Sequence, residues 1–135
     1  MSVGQFQLQQ ALFTKLNSDN TLTDTLGAAV HDDVPASITY PFINIGADSV
    51  LEYGEKSSDG GEHTVVIDIW SQYKGSKECK QIMDRIHDLL HDSSLSVSGF
   101  NHINSRFEFS DILRDPDGVT RHGVMRFRVL TLGTT

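Results

Sequence analysis

His63-Thr64-Val65-Val66-Ile67-Asp68-Ile69-Trp70-Ser71 is the stretch whose reading decides the fold. Val65, Ile67 and Ile69 alternate with Thr64, Val66, Asp68 and Trp70, which is the two-residue period of a strand with one buried face. A few residues later the period changes. Ser76 suits a helix N-cap, and Glu78 falls in the first turn, where the helix dipole favours an acid. From there to about His91, the residues Cys79, Ile82, Met83, Ile86, Leu89 and Leu90 recur at helical spacing and form a stripe wide enough to cover a sheet face. A strand followed directly by such a helix predicts helices laid on one side of a sheet.

Upstream, Gln5–Asn17 reads as a helix whose apolar stripe is Leu8, Ala11, Leu12 and Leu16. Asn17-Ser18-Asp19-Asn20 breaks it, a short helical turn covers Thr21–Leu26, and Gly27 suits a helix end. Val30–Pro41 reads as irregular, because Pro35 and Pro41 interrupt a ladder. Phe42–Ala47 reads as a strand that continues towards Leu51, with Ile43 and Ile45 on one face. Glu52–Glu62 is too polar and glycine-rich to pack and reads as an exposed hairpin loop.

Downstream, Leu95–Val97 reads as a short strand and Ile103–Leu113 as a longer one, with Phe107 and Phe109 facing one way and Arg106 and Glu108 the other. Arg114-Asp115-Pro116-Asp117-Gly118 is a turn, since Pro sets φ and Gly allows a positive φ. Thr120–Leu132 returns with Met125, Phe127 and Val129 inward and Arg126 and Arg128 outward. The order predicts an α+β fold, a mainly antiparallel sheet with two main helices packed on one face, in one domain over residues 1–135.

A chain of 135 residues buries enough surface to hold a core without metals or disulfides. The apolar share of 38% is low, which suits a thin two-layer domain or one that completes itself against neighbours. Cys79 is the only cysteine, so no intramolecular disulfide is possible, and its place in a helical stripe reads as a structural thiol. No apolar run approaches the ~20 residues needed to span a bilayer, and Met1–Gln10 does not resemble a signal peptide, so no membrane role is expected and the cytoplasm where it is made is the expected location. The net charge of -7 argues against a free nucleic-acid binder. The charge is also uneven. Residues 1–73 carry two basic against ten acidic side chains, and from Lys74 onward nine basic face eight acidic. A head-to-tail ring would set the acidic half of one subunit beside the basic half of the next, and a plain acidic surface that keeps the protein soluble accounts for the asymmetry equally well.

No arrangement announces catalysis. His87 and His91 lie at i and i+4 on one helical face, as in zinc proteases, but Asp88 stands where those enzymes carry the general-base Glu, and no third ligand is indicated. Two histidines near a helix C-terminus also suit the dipole. Asp32-Asp33 reads as a solvated pair, and no nucleophile elbow, P-loop or dinucleotide fingerprint occurs. No catalytic residue, cofactor or metal ligand is therefore assigned. Interface candidates are the loop Gly54-Glu55-Lys56-Ser57-Ser58-Asp59-Gly60-Gly61, which can order on docking, and Arg126 with Arg128. Together with Arg106 and Arg121 these arginines form a basic stripe, either facing DNA or pairing with acids of the sheet or a neighbour. Trp70 and Tyr73 are aromatic anchor candidates, with Trp70 equally suited to the core.

Three ordered stretches carry a resemblance: Val30–Pro35 with Tyr40–Gly46; Glu62-His63-Thr64 with Ile67–Ser71 and Leu89-Leu90-His91-Asp92; and Arg114–Gly118 with His122–Arg128. Together they resemble the tail-completion, or tail-terminator, family of siphophages and gene transfer agents. The resemblance spans nearly the whole chain. It implies a structural, non-enzymatic subunit of a self-assembled ring, a hexamer, that caps the tail tube at the head-proximal end of the virion tail. The implied partners are the major tail tube protein and the head-tail connector or neck protein, with DNA present only in transit through the lumen. Alternatives are a head-completion or neck protein, a small His-dependent metalloenzyme using His87 and His91, and a stand-alone binding module of a bacterial cell.

Overall fold

The computed structural model describes residues 3–53 and 60–133. Helix α1 (Gln5–Asn17) leads through a π-helical turn (Thr21–Thr25) into β1 (Ala29–His31), β2 (Phe42–Glu52) and β3 (Gly60–Ser71). Helix α2 (Lys77–Leu90) follows, then β4 (Phe100–Arg114) and β5 (Arg121–Gly133). The five strands form one sheet in the order β1-β2-β3-β5-β4, parallel at β1–β2 and antiparallel elsewhere. The fold is α+β, with a mostly antiparallel sheet and two main helices.

Alternation supplies the buried face. Ile45, Ile67 and Met125 lie side by side across β2, β3 and β5, as do Val65, Phe127 and Phe107 across β3, β5 and β4. Leu8, Leu12 and Leu16 of α1 and Ile82, Ile86 and Leu90 of α2 close over them, each 0–1% exposed. Gly123 opposes Ile69 beneath α2, where an added Cβ would stand 2.8 Å from both Cys79 Sγ and Met83 Sδ. The missing side chain lets the helix approach the sheet.

Asp19 ties the helices together. Its carboxylate accepts the Leu22 N–H at 3.0 Å and both prongs of Arg85 in α2, Nε at 2.9 Å and Nη2 at 2.6 Å. Each fully buried Ile or Leu of α2 contributes about 1.5–3 kcal/mol. That sum outweighs one ion pair, so the apolar stripe holds the helix down and Asp19 sets how the α1 corner meets it.

Several expectations are corrected. Ala29–His31 is a strand, because the paired residues end before Pro35 and Pro41 reaches the sheet only next to Phe42. Leu95–Val97 is not a strand. Leu95 and Val97 are buried while the backbone stays irregular, held where the Leu95 N–H donates to His102 Nδ1 at 3.3 Å. Gly60 and Gly61 belong to β3 and are buried rather than part of an exposed loop. A Cβ on Gly60 would lie 1.8 Å from the Tyr53 carbonyl oxygen, so only glycine fits there. Finally, Phe109 does not share a face with Phe107. The register steps from Phe107↔Phe127 to Phe109↔Arg126, so Glu108 is a bulge and alternation is reset.

The Arg85 hydrogen bonds hold the Asp19 carboxyl below the usual carboxylate range, against the opposing pull of burial. A carboxyl with a lower pKa in the folded state gives stability that is complete above its unfolded value and is lost as pH falls through the folded value. Asp19→Asn is therefore expected to cost about 1–3 kcal/mol at pH 7, with the gap to wild type closing below about pH 4. Urea unfolding at pH 7 and pH 3 checks this, and an equal gap at both would contradict it.

Candidate interaction surfaces

The helices cover one face of the sheet and leave the other to side chains that alternate with the core. Arg126 and Arg128 of β5 share that open face, as their spacing predicts. Both are engaged within the sheet. Glu108 accepts Arg128 Nε at 3.1 Å and Nη2 at 2.7 Å and lies 3.4 Å from Arg126 Nε, and Glu62 lies 3.4 Å from Arg128. The Arg126 guanidinium also sits over the Phe109 ring, 5.4 Å from its centroid. The bulge makes this possible by turning Phe109 to the face that already carries Glu108. Of the two readings of the arginine stripe, pairing with acids of the same sheet describes these two residues. Such exposed pairs add little stability but fix the direction of the side chains.

Trp70 is not a core residue. It lies half-buried on the open face, stacked on His122 at 3.8 Å between ring centroids and 6.3 Å from Phe42. His122 Nε2 is 2.7 Å from Asp68 Oδ1, which orients the ring. Tyr73 is 52% exposed beyond the end of β3. Gly54–Asp59, the larger part of the loop candidate, lie outside the described residues.

His87 and His91 are brought together, their rings stacked at 4.7 Å. His91 Nδ1 accepts the Phe107 N–H at 3.0 Å, so a nitrogen that could bind metal instead joins α2 to β4. Asp92 continues the seam, its N–H donating to the Ser105 carbonyl at 2.8 Å. Among the described residues no group of three or more His, Cys, Asp or Glu converges as a metal site. His102 is held below the usual histidine range by burial, and its Nε2 lies 2.7 Å from Ser105 Oγ. Buried His63 lies 3.5 Å from Asp48 in the layer between sheet and α1, with no hydrogen bond to either ring nitrogen among the described residues.

Sequence reading passed over the apolar groups on the surface. Phe6 of α1 is 64% exposed and lines a shallow groove with Phe13 and Asp32. At the other side of the molecule Leu113, Phe109 and Val119 are exposed by about half. The signal for α1 was present. Phe6 and Phe13 are seven residues apart and off the Leu8–Leu12–Leu16 stripe.

Residues 10–132 match the family of tail completion protein gp17. The chain belongs to that family. Tail completion protein gp17 of Bacillus phage SPP1 is 27% identical over 121 residues, which cover 90% of this chain and 89% of that protein. A chain from the virion of a native gene transfer agent particle has the same fold. Its TM-score is 0.89 at 23% identity, over 98% of this chain and 100% of that one. Membership in the gp17 family gives the chain a structural role in a phage-type tail.

Cys79 is 0% exposed, and burial pushes its thiol up to about 11. The thiolate needed for attack is therefore scarce at neutral pH. The folded protein is expected to leave Cys79 unmodified by a disulfide reagent at pH 8, with one thiol per chain appearing in urea. Native modification at the rate of free cysteine would show that the α2–sheet layer opens.

Proposed function

We propose that the chain is a tail terminator: a closed ring, of six copies, that ends the tail tube and receives the DNA-filled head. The observation that carries this reading is the gp17 family match across residues 10–132. The physical mechanism is supply of interfaces. A cap needs one surface complementary to the tube end and another that does not repeat the tube's own surface. Closure of the ring fixes the number of copies, because a heterologous contact whose rotation closes leaves no free end in the ring, and the face that does not repeat the tube's surface is what ends axial growth. A sheet with two unlike free edges and one uncovered face supports such assembly.

In this reading the partners are further copies of the chain, the major tail tube protein and the head-tail connector. DNA passes only through the lumen. Assembly takes place in the host cytoplasm, and the finished ring lies at the head-proximal end of the tail. The 54–59 segment between β2 and β3 in the chain is a candidate tube or connector contact, and Arg126 with Arg128 is another, a preset charged patch. No step calls for a cofactor or a catalytic residue.

Deleting the gene from its phage or prophage and imaging the lysate tests the proposal. Filled heads beside unattached tails of abnormal, variable length are expected. Unattached tails of normal length would move the protein to a joining role at the neck, and intact infectious particles would overturn the proposal.

A further inference from the structure

The strand order separates charge. No Lys or Arg occurs between Lys15 and Lys56, a stretch with seven acidic side chains that contains all of β1 and β2. Five of the six arginines lie on β4 and β5. Since β1 and β4 are opposite edges, one flank of the molecule is acidic and the other is rich in arginine.

A like-charge pair marks the second flank more sharply. Arg114 and Arg121 are direct cross-strand neighbours at the turn end of β4 and β5. Like charges opposite one another destabilise a sheet. The equivalent pair Arg106↔Arg128 is relieved by Asp92, Glu62 and Glu108. Arg114 and Arg121 have no carboxylate within ion-pair distance among the described residues; Arg121 donates to the Gly118 and Val119 carbonyls, and its charge helps lower the Asp117 carboxyl only from beyond that distance. Nearby Asp117 spends its oxygens on the Val119 and Thr120 N–H groups and the Thr120 hydroxyl. On the acidic flank, Asp32 and Asp33 follow β1 directly and likewise have no basic partner among the described residues.

We infer that neighbouring copies of this chain join head to tail by seating Asp32 and Asp33 of one copy on the Arg114–Arg121 pair of the next. The contact rests on the ring reading above and names its surfaces. Apolar groups accompany the charges on both sides: Phe6, in the groove with Asp32, and exposed Val119, whose carbonyl accepts Arg121 Nη1. Their burial supplies affinity while the charges set partner and register. The alternative symmetric contact, β4 against β4, would bring the arginine flanks of two copies together. β1 has three residues against fifteen in β4, so side chains rather than a continued ladder make the joint.

The test is complementation of the gene deletion with three variants: Asp32→Lys with Asp33→Lys, Arg114→Glu with Arg121→Glu, and all four changes together. Circular dichroism checks that each folds. Either reversed pair alone is expected to cut tailed, DNA-filled particles at least about tenfold, because like charges then meet across the joint. The fourfold variant should recover to within about threefold of wild type, as it restores opposite charge. Unchanged yields from either pair, or failure of the fourfold variant to recover, would overturn the contact. Wild-type particles are cross-linked in parallel. Covalent species larger than a dimer keep the ring reading whatever the variants do, and a monomer band alone would overturn ring and contact together.

Discussion

The pairing of β3 with β5 is the constraint on which the rest of the structure depends. Its register runs without a break from Gly60↔Leu132 to Ser71↔Arg121 and joins residues far apart in sequence. It places the two most regularly alternating strands side by side, so their inward residues form one apolar floor for α2. It also fills the position next to β3, which forces β4 to the outside although α2 leads directly from β3 to β4. Both free edges of the sheet follow from that one placement.

The edges are unlike for the same reason. The N-terminal half of the chain, poor in basic residues, ends at the β1 side, and the arginine-bearing hairpin ends at the β4 side. Edges of unlike charge disfavour the contact of either edge with its own copy, which in the proposed ring would leave the contact of one edge with the other. The uncovered face adds rigidity. Glu108 holds Arg126 and Arg128, and Asp68 holds His122 against Trp70, so these side chains are oriented by one another.

Both helices, the strands from Phe42 and His63, the Arg114–Gly118 turn and the inward residues of β5 were legible because each depends on local periodicity or turn chemistry. The misses share a cause. Glu108 looks like any outward residue of an alternating strand, and only pairing with β5 reveals that it is an extra one. Ala29–His31 is too short to show a period and becomes a strand only by docking beside β2. Leu95–Val97 has the alternation of a strand, but the sheet edge there is taken by Phe100–Arg114. Gly60 and Gly61 carry the composition of a loop, yet the close approach of Tyr53 makes glycine the strand residue.

The candidate surface divides along the same line. That Arg126 and Arg128 share a face, and that charge is unevenly spread along the chain, follow from the sequence alone, since two-residue alternation and residue counts need no partner strand. Which acids neutralise them, that Phe109 joins them, that His91 ties α2 to β4, and that Arg114 stands opposite Arg121 were decided only by tertiary structure. Each depends on the register between strands distant in sequence, and register is a property of pairing rather than of any one strand.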